Sequence, residues 1–183
     1  MGKLLVLCGP SGSGKSSLAD QLPIPRLITA TTRPPRSNEV NGVDYFFKTR
    51  KEFERMIEAG ELVEHATYDG HLYGIPMSEV RKVINGDSTA AVVVELEGVK
   101  VLKQEFSSDV VVVHLDIDDD TLLKRLVKRG GPLINILNRY QKYKLEEQYE
   151  HFRPYADVSI RNSGAIEDAV KKLTNLMRGW ALV

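Results

Sequence analysis

The chain has 183 residues, 42% of them hydrophobic, the size and composition of one ordinary domain with a continuous core. Lys plus Arg equals Asp plus Glu at 25 each, which excludes a global field able to hold a long nucleic acid or an anionic membrane, so any anion must be gripped locally. The single cysteine, Cys8, excludes an internal disulfide, and no Cys/His cluster has metal-ligand spacing.

In chain order, residues 3–8 read as a buried parallel strand. This apolar run is too short for a signal segment or a membrane span, so the expected location is the cytoplasm. A glycine turn and a helix over about 15–21 follow, then a short strand over 26–30. Residues 31–75 change texture. Asn41-Gly42 and Asp69-Gly70 both read as two-residue hairpin turns, and 49–59 carries helical spacing at Phe53, Met56 and Ile57, ending at Gly60. Another short helix is expected over 77–84, stopped near Gly86. Strand-then-helix alternation resumes with a strand at 89–95, a helix at 98–105 and a valine-rich strand at 109–115. Asp118 or Asp119 would cap a helix over 121–129, which Gly130-Gly131-Pro132 interrupts. A long polar helix to about His151, a strand at 158–160 and a helix at 166–177 complete the pattern. This predicts an α/β fold: a parallel sheet covered by helices on both faces, with an inserted mixed subdomain in the middle.

Gly9-Pro-Ser-Gly-Ser-Gly14-Lys15-Ser16 fits G-x-x-x-x-G-K-[ST], with the expected strand before it and helix after it. Such a loop turns backbone N–H groups inward around a phosphate chain, so Gly9, Ser11, Gly12, Ser13, Gly14, Lys15, Ser16 and Ser17 are the expected contacts of a nucleoside triphosphate. Lys15 would reach the outer phosphates and Ser16 would offer a Mg²⁺ ligand. The rival dinucleotide fingerprint fails because Ser17 stands where its third glycine belongs.

The stretch TTRPPR suggests a second anion site. Proline holds the preceding residue extended, and in a polyproline-II segment Arg33 and Arg36 would project from one side, roughly 9 Å apart at about 3.1 Å per residue. Two planar forks so placed suit a phosphate monoester, with Tyr45 as a further donor; the competing reading is a solvated basic loop. In the second hairpin, a turn at Asp69-Gly70 pairs Tyr68 with His71, Ala66 with Tyr73 and Glu64 with Ile75, placing Glu64, Ala66, Tyr73 and Ile75 on one face. Glu64 could accept from a base edge and Tyr73 donate to its phosphate; an exposed strand with an ordinary surface glutamate is the alternative.

GPSGSGKSS, TTRPPR, EVNGVDYFF, LVEHATYDGHLYG, VVELEGVK and LLKRLVKRG occur in that order, and together they resemble guanylate kinase over most of the chain. The resemblance implies a P-loop kinase core (1–30, 87–129 and 140–183), a monophosphate-binding insertion (31–86) and a lid (about 130–139) within one domain. It implies transfer of the γ-phosphoryl of MgATP to GMP or dGMP, by a monomer or homodimer. By position it assigns Arg33, Arg36, Tyr45 and Tyr73 to the acceptor phosphate and Glu64 to guanine. It assigns Arg125, Arg129 and Arg139 to the transferring phosphates, with Lys15, and Asn162 to the neighbourhood of the adenine.

Some positions depart from the family pattern. Thr29 replaces a serine that bonds the base, Ile75 replaces Ser or Thr, and Glu95 replaces an aspartate that reaches the base or Mg²⁺-bound water. The lid is one residue shorter and lacks its acidic run, and its apolar Leu133, Ile134, Ile136 and Leu137 are expected to pack in the core, with packing across an oligomer as the alternative. These departures keep open a kinase for another acceptor, such as a different nucleoside monophosphate or ribose 1,5-bisphosphate. A catalytically silent protein-binding module is the further alternative, and the intact Lys15 and Ser16 argue against it.

Overall fold

The computed structural model describes residues 2–68, 70–147 and 149–183. Strand β1 (Leu4–Cys8) is buried along its whole length, so it needs cover on both faces and takes an interior position in the sheet. It lies between β6 (Ala90–Val93) and β7 (Val110–Asp116), and β8 (Val158–Arg161) extends the edge, giving an all-parallel sheet of order β6-β1-β7-β8. Side-chain alternation divides β1 between two layers. Leu4, Val6 and Cys8 pack with Val80 and Ile84 of α3 (Met77–Asn85) and Val99 and Leu102 of α4 (Leu96–Phe106). Leu5 and Leu7 pack with Leu18 of α1 (Lys15–Ala19) and Leu173 and Met177 of α8 (Ile166–Gly179). Burial pushes the Cys8 thiol up to about 12, which makes it a packing residue and not a nucleophile.

A second four-stranded sheet, order β3-β2-β5-β4, is built from β2 (Thr29–Thr31), β3 (Tyr45–Phe47), β4 (Leu62–Tyr68) and β5 (His71–Pro76). β2 runs parallel to β3 and antiparallel to β5. Helix α2 (Arg50–Glu58) starts at a Thr49/Glu52 capping box and drives Phe53 into a small core with Ala30 and Leu72.

Two features of this region differ from the sequence reading, and a third holds. The strand expected over 26–30 is displaced: Arg26 makes only an isolated bridge to Ala91, and regular pairing begins at Thr29, in the second sheet. Asn41-Gly42 does not close a hairpin, because no strand precedes it. Gly42 N donates to Tyr45 O and Asn41 Oδ1 accepts from Phe47 N, so the signal marks a loop that feeds β3 alongside β2. The Asp69-Gly70 turn keeps its predicted register at Tyr68↔His71 and Ala66↔Tyr73, although Asp69 itself lies outside the described residues.

The long helix expected to reach His151 is broken into α6 (Leu133–Lys142), a π turn (Tyr143–Glu147) and α7 (Tyr149–Phe152). The wide turn gathers three side chains onto one carboxylate at the start of α5 (Asp119–Arg129). Tyr140 and Tyr143 hydroxyls each donate to Asp119 at 3.0 Å, and Lys144 Nζ lies 2.7 Å from it. In α6 Ile136 and Tyr140 pack inward; Leu133, Ile134 and Leu137 are exposed, against the expectation of core packing, because the short helix turns one face to α5.

Candidate active site

The P-loop leaves β1 at the carboxyl edge of the parallel sheet, where α/β folds place ligands. Gly14 has φ 96°, and a Cβ there would lie 2.6 Å from Asn162 Nδ2, so both the turn and the close approach need glycine. Asn162 is buried and donates from Nδ2 to Ser13 O at 2.6 Å. It braces the loop while lining its pocket. That pocket is walled by Ser11, Gly12, Gly14, Lys15, Ser16 and Ser17 from one side, and by Arg125, Arg129 and Glu95 from the other. Lys15 Nζ donates to Gly9 O and Pro10 O at 2.6 and 2.9 Å, folded along its own loop. Arg125 reaches Ser13 O and Gly164 O, which anchors it over the loop's rim. Arg139 lies on α6 and does not line this pocket.

The second anion site takes shape around Arg33. Thr31 Oγ1 accepts from Arg33 N, and Thr32 pins the loop to β5 through Leu72 in both directions. The Arg33 guanidinium stands 5.5 Å from the centre of the Tyr45 ring and 5.9 Å from that of Phe47, and Tyr73 packs edge-on against Tyr45. Arg33, Tyr45 and Tyr73 are therefore gathered as the sequence spacing suggested. Arg36 is brought in less directly. Its Nη1 lies 3.9 Å from Glu39 Oε1, to which Arg33 Nη2 donates at 2.8 Å, and its own N–H donates to Glu39 Oε2. Glu39 went unnoticed in the sequence; an acidic residue three beyond Arg36 and six beyond Arg33 was the available signal. Its hydrogen bond with Arg33 pulls the Glu39 carboxyl below the usual range and raises the guanidinium. Glu39→Ala is expected to raise the KM for the phosphate-bearing acceptor by about fivefold with little change in kcat, as the arginines lose their common anchor. Steady-state kinetics over a range of acceptor concentrations checks this.

A cavity of about 390 Å³ opens beside the P-loop, lined among others by Gly9, Glu64, Ala66, Glu95 and Lys142. Glu95 borders both this cavity and the P-loop pocket, so the two are neighbours. Glu64 accepts from Glu95 N at 3.1 Å, at the first turn of α4, whose own N-cap side chain makes no capping bond. A Cβ on Gly98 would collide with the Glu64 carboxylate, so the bare backbone there is what admits it. The predicted Glu64–Ile75 pair is absent: the ladder shifts register between Leu62 and His65, which takes Glu64 out of step. Ile75 is 3% exposed and packs in the core with Val63, Val80 and Val99. Thr29 lines a separate groove with Asp20, Arg26 and Tyr45, away from Glu64.

Burial, outweighing the bond from Glu95 N–H, pushes the Glu64 carboxyl up to about 7 from 4.5. The native state then holds a proton that the unfolded chain has released, so this contribution to stability is complete below about pH 4.5 and is lost as pH rises through 7. Glu64→Gln is expected to flatten that slope, on the order of 1–2 kcal/mol across the window. Urea unfolding of both proteins at several pH values measures it.

The guanylate kinase family model matches residues 1–179. The chain belongs to the guanylate kinase family. It is 36% identical over 177 residues to the guanylate kinase of Halalkalibacterium halodurans, covering 94% of this chain and 85% of that one. It is 34% identical over 184 residues to that of Thermotoga maritima, covering 97% and 86%. Among solved structures, guanylate kinase from Anaplasma phagocytophilum superposes with a TM-score of 0.69 at 26% identity, over 97% of this chain and 85% of that chain. The P-loop pocket and the Arg33–Tyr45–Tyr73 cluster offer donors of different kinds: a loop of backbone N–H groups in the first, and guanidinium and phenol groups in the second.

Proposed function

We propose that this chain transfers the γ-phosphoryl group of ATP to the phosphate of GMP or dGMP, forming the diphosphate. The observation that carries the reading is the adjacency of two unlike pockets through Glu95: a P-loop pocket with Lys15, Arg125 and Arg129, and a cavity with the Glu64 carboxylate. The first suits a triphosphate and the second a base with hydrogen-bond donors on its edge.

The acceptor phosphate is already an anionic nucleophile, so no strong general base is required. What the chain must do is hold two polyanions in line and offset the charge of the group in transit. Arg33, Arg36, Tyr45 and Tyr73 hold the acceptor phosphate, Glu64 accepts from the base, and the P-loop amides hold the donor. Lys15, Arg125 and Arg129 supply positive charge at the transfer point; Arg139 joins them only by a movement of α6. Glycines 130 and 131, with φ of 76° and 108°, precede that helix and suit a lid over about 130–139, while β3, β4 and β5 of the second sheet fall in the monophosphate-binding part, 31–86, and β2 straddles its first boundary.

Mg²⁺ fits this donor set. Ser16 and Glu95 place oxygen ligands on the P-loop pocket, and no group of three or more His, Cys, Asp or Glu that could hold a metal ion occurs among the described residues. Few protein oxygens completed by phosphate and water are what Mg²⁺ takes, and the ion would draw charge from the transferring phosphoryl. Both pockets come from one chain, so the reading works for a monomer or for each half of a homodimer. No described helix is long and apolar enough to cross a membrane; the use of ATP and GMP as substrates supports a cytoplasmic location. The test is release of ADP from MgATP, followed with and without GMP. GMP-dependent release with matching GDP supports the reading; release that ignores GMP contradicts it.

A further inference from the structure

One lysine, and no arginine, lines the base cavity among the described residues. Lys142, at the carboxyl end of α6, lines the cavity and pairs with Glu95 across 47 residues, Nζ to Oε2 at 2.7 Å. Glu95 N in turn donates to Glu64, so a carboxylate, a second carboxylate and an ammonium follow one another along the cavity wall. The ammonium is close enough for its charge to favour the ionised form of Glu64.

Guanine presents an acceptor, O6, beside the donors N1–H and N2–H₂, whereas adenine presents an amino donor at position 6. Glu64, an acceptor, answers only the two donors of guanine. A donor for O6 must come from elsewhere, and Ile75, buried in the core, has none to give. His65 and His151 also border the cavity, but both are exposed and neither has an ion pair to orient it among the described residues. Lys142 is a donor without acceptor capacity, held by a carboxylate that lines the same wall.

We propose that Lys142 is a specificity residue for the 6-oxo group: its ammonium, oriented by Glu95, donates to guanine O6 while Glu64 accepts from N1–H and N2–H. This rests on the GMP-kinase reading and adds the residue that selects a 6-oxopurine. The same ammonium disfavours adenine, whose 6-amino group would face it donor to donor. It also ties base recognition to the lid region, since Lys142 ends the helix that follows Gly130-Gly131.

The experiment compares GMP with 6-thioguanosine monophosphate, which keeps N1–H and N2–H₂ but replaces O6 by a weak acceptor. Wild-type protein is expected to favour GMP by about tenfold in kcat/KM. In Lys142→Met, which keeps the stem and removes the charge, GMP kcat/KM should fall by about the same factor through KM, and the preference should collapse towards unity. Lys142→Arg, which retains donors, should keep most of it. A Lys142→Met protein that preserves the preference, or that loses activity on both acceptors equally, overturns the assignment, the second outcome meaning that Lys142 only props Glu95. Should Lys142→Met fail to fold, a wild-type protein with no preference is itself decisive against it. Absence of GMP turnover in the wild type would overturn the functional reading as well; GMP turnover with an unaltered preference in the variant overturns this assignment alone.

Discussion

Lys15→Ala is expected to lower kcat by about a thousandfold or more, to weaken ATP binding and to lower the melting temperature modestly. The ammonium is the one P-loop side-chain cation, and its partners include the loop's own carbonyls, Gly9 O and Pro10 O. Both residues are buried, so removing the amine leaves those carbonyls short of a donor and costs the folded state on the order of 1–3 kcal/mol. The phosphoryl group in transit loses more. Its charge would be left to Arg125 and Arg129, which approach from α5, and Arg125 is partly committed to Ser13 O and Gly164 O. Single-turnover phosphoryl transfer with ATP in excess separates the loss in chemistry from the loss in binding. Retention of more than about a tenth of wild-type kcat would show that the P-loop does not carry the transferred phosphate.

Arg33→Ala is the second large effect. Acceptor KM should rise and kcat fall together, lowering kcat/KM by about a thousandfold, because the guanidinium both binds the acceptor phosphate and fixes its line of attack. Arg33 is held from several sides at once: Pro34 O and Glu39 accept from it, the Tyr45 ring lies against it, and the Thr31 side chain holds its backbone. That over-determination leaves it few rotamers and a ready fork. Arg33→Lys is expected to recover less than a tenth of the loss, since a single ammonium lacks the planar pair of donors. The assay is kcat and KM against GMP at saturating MgATP. A change confined to KM would mean that Arg33 binds the acceptor without aligning it.

The core was legible because it rests on periodicity. LLVLC reads as a strand covered on both faces, and each later strand with its helix repeats one pattern, so a covered parallel sheet was expected, while its order, β6-β1-β7-β8, comes from the structure. The glycine spacing of the P-loop specifies its backbone turn as well as its chemistry. The insertion was legible only in part, because its signals depend on partners distant in sequence. Asp69-Gly70 joins two real strands, and the predicted register holds as far as His65. Asn41-Gly42 carries the same turn chemistry, but the residues before it are committed to the proline segment, and a turn signal without a strand on both sides gives a loop.

The bulge beside Glu64 exposes a further limit. Strict alternation put Glu64 opposite Ile75, whereas the structure sends the glutamate to the end of α4 and the isoleucine into the core. No local pattern announces that, since the cause is the bare backbone of Gly98, 34 residues on, admitting a carboxylate at a helix start. Lys142 was missed for the same reason, since its ion pair with Glu95 spans 47 residues, whereas Glu39 lies only six residues from Arg33 and its spacing was there to be read. The lid residues Leu133, Ile134 and Leu137 show the converse error, in which apolar character was read as burial although α6 offers just one turn to α5.

The most direct test of the central claim is an acceptor panel. Wild-type protein with MgATP is offered GMP, dGMP, AMP, CMP, UMP, dTMP and ribose 1,5-bisphosphate in turn, and kcat/KM is measured for each. GMP and dGMP should exceed every other acceptor by at least about a hundredfold, since a pocket built to pair the donors of guanine leaves its carboxylate unpaired with any other base. Equal or greater turnover of another acceptor would contradict the assignment of the Glu64 cavity to guanine, while leaving the P-loop kinase frame in place.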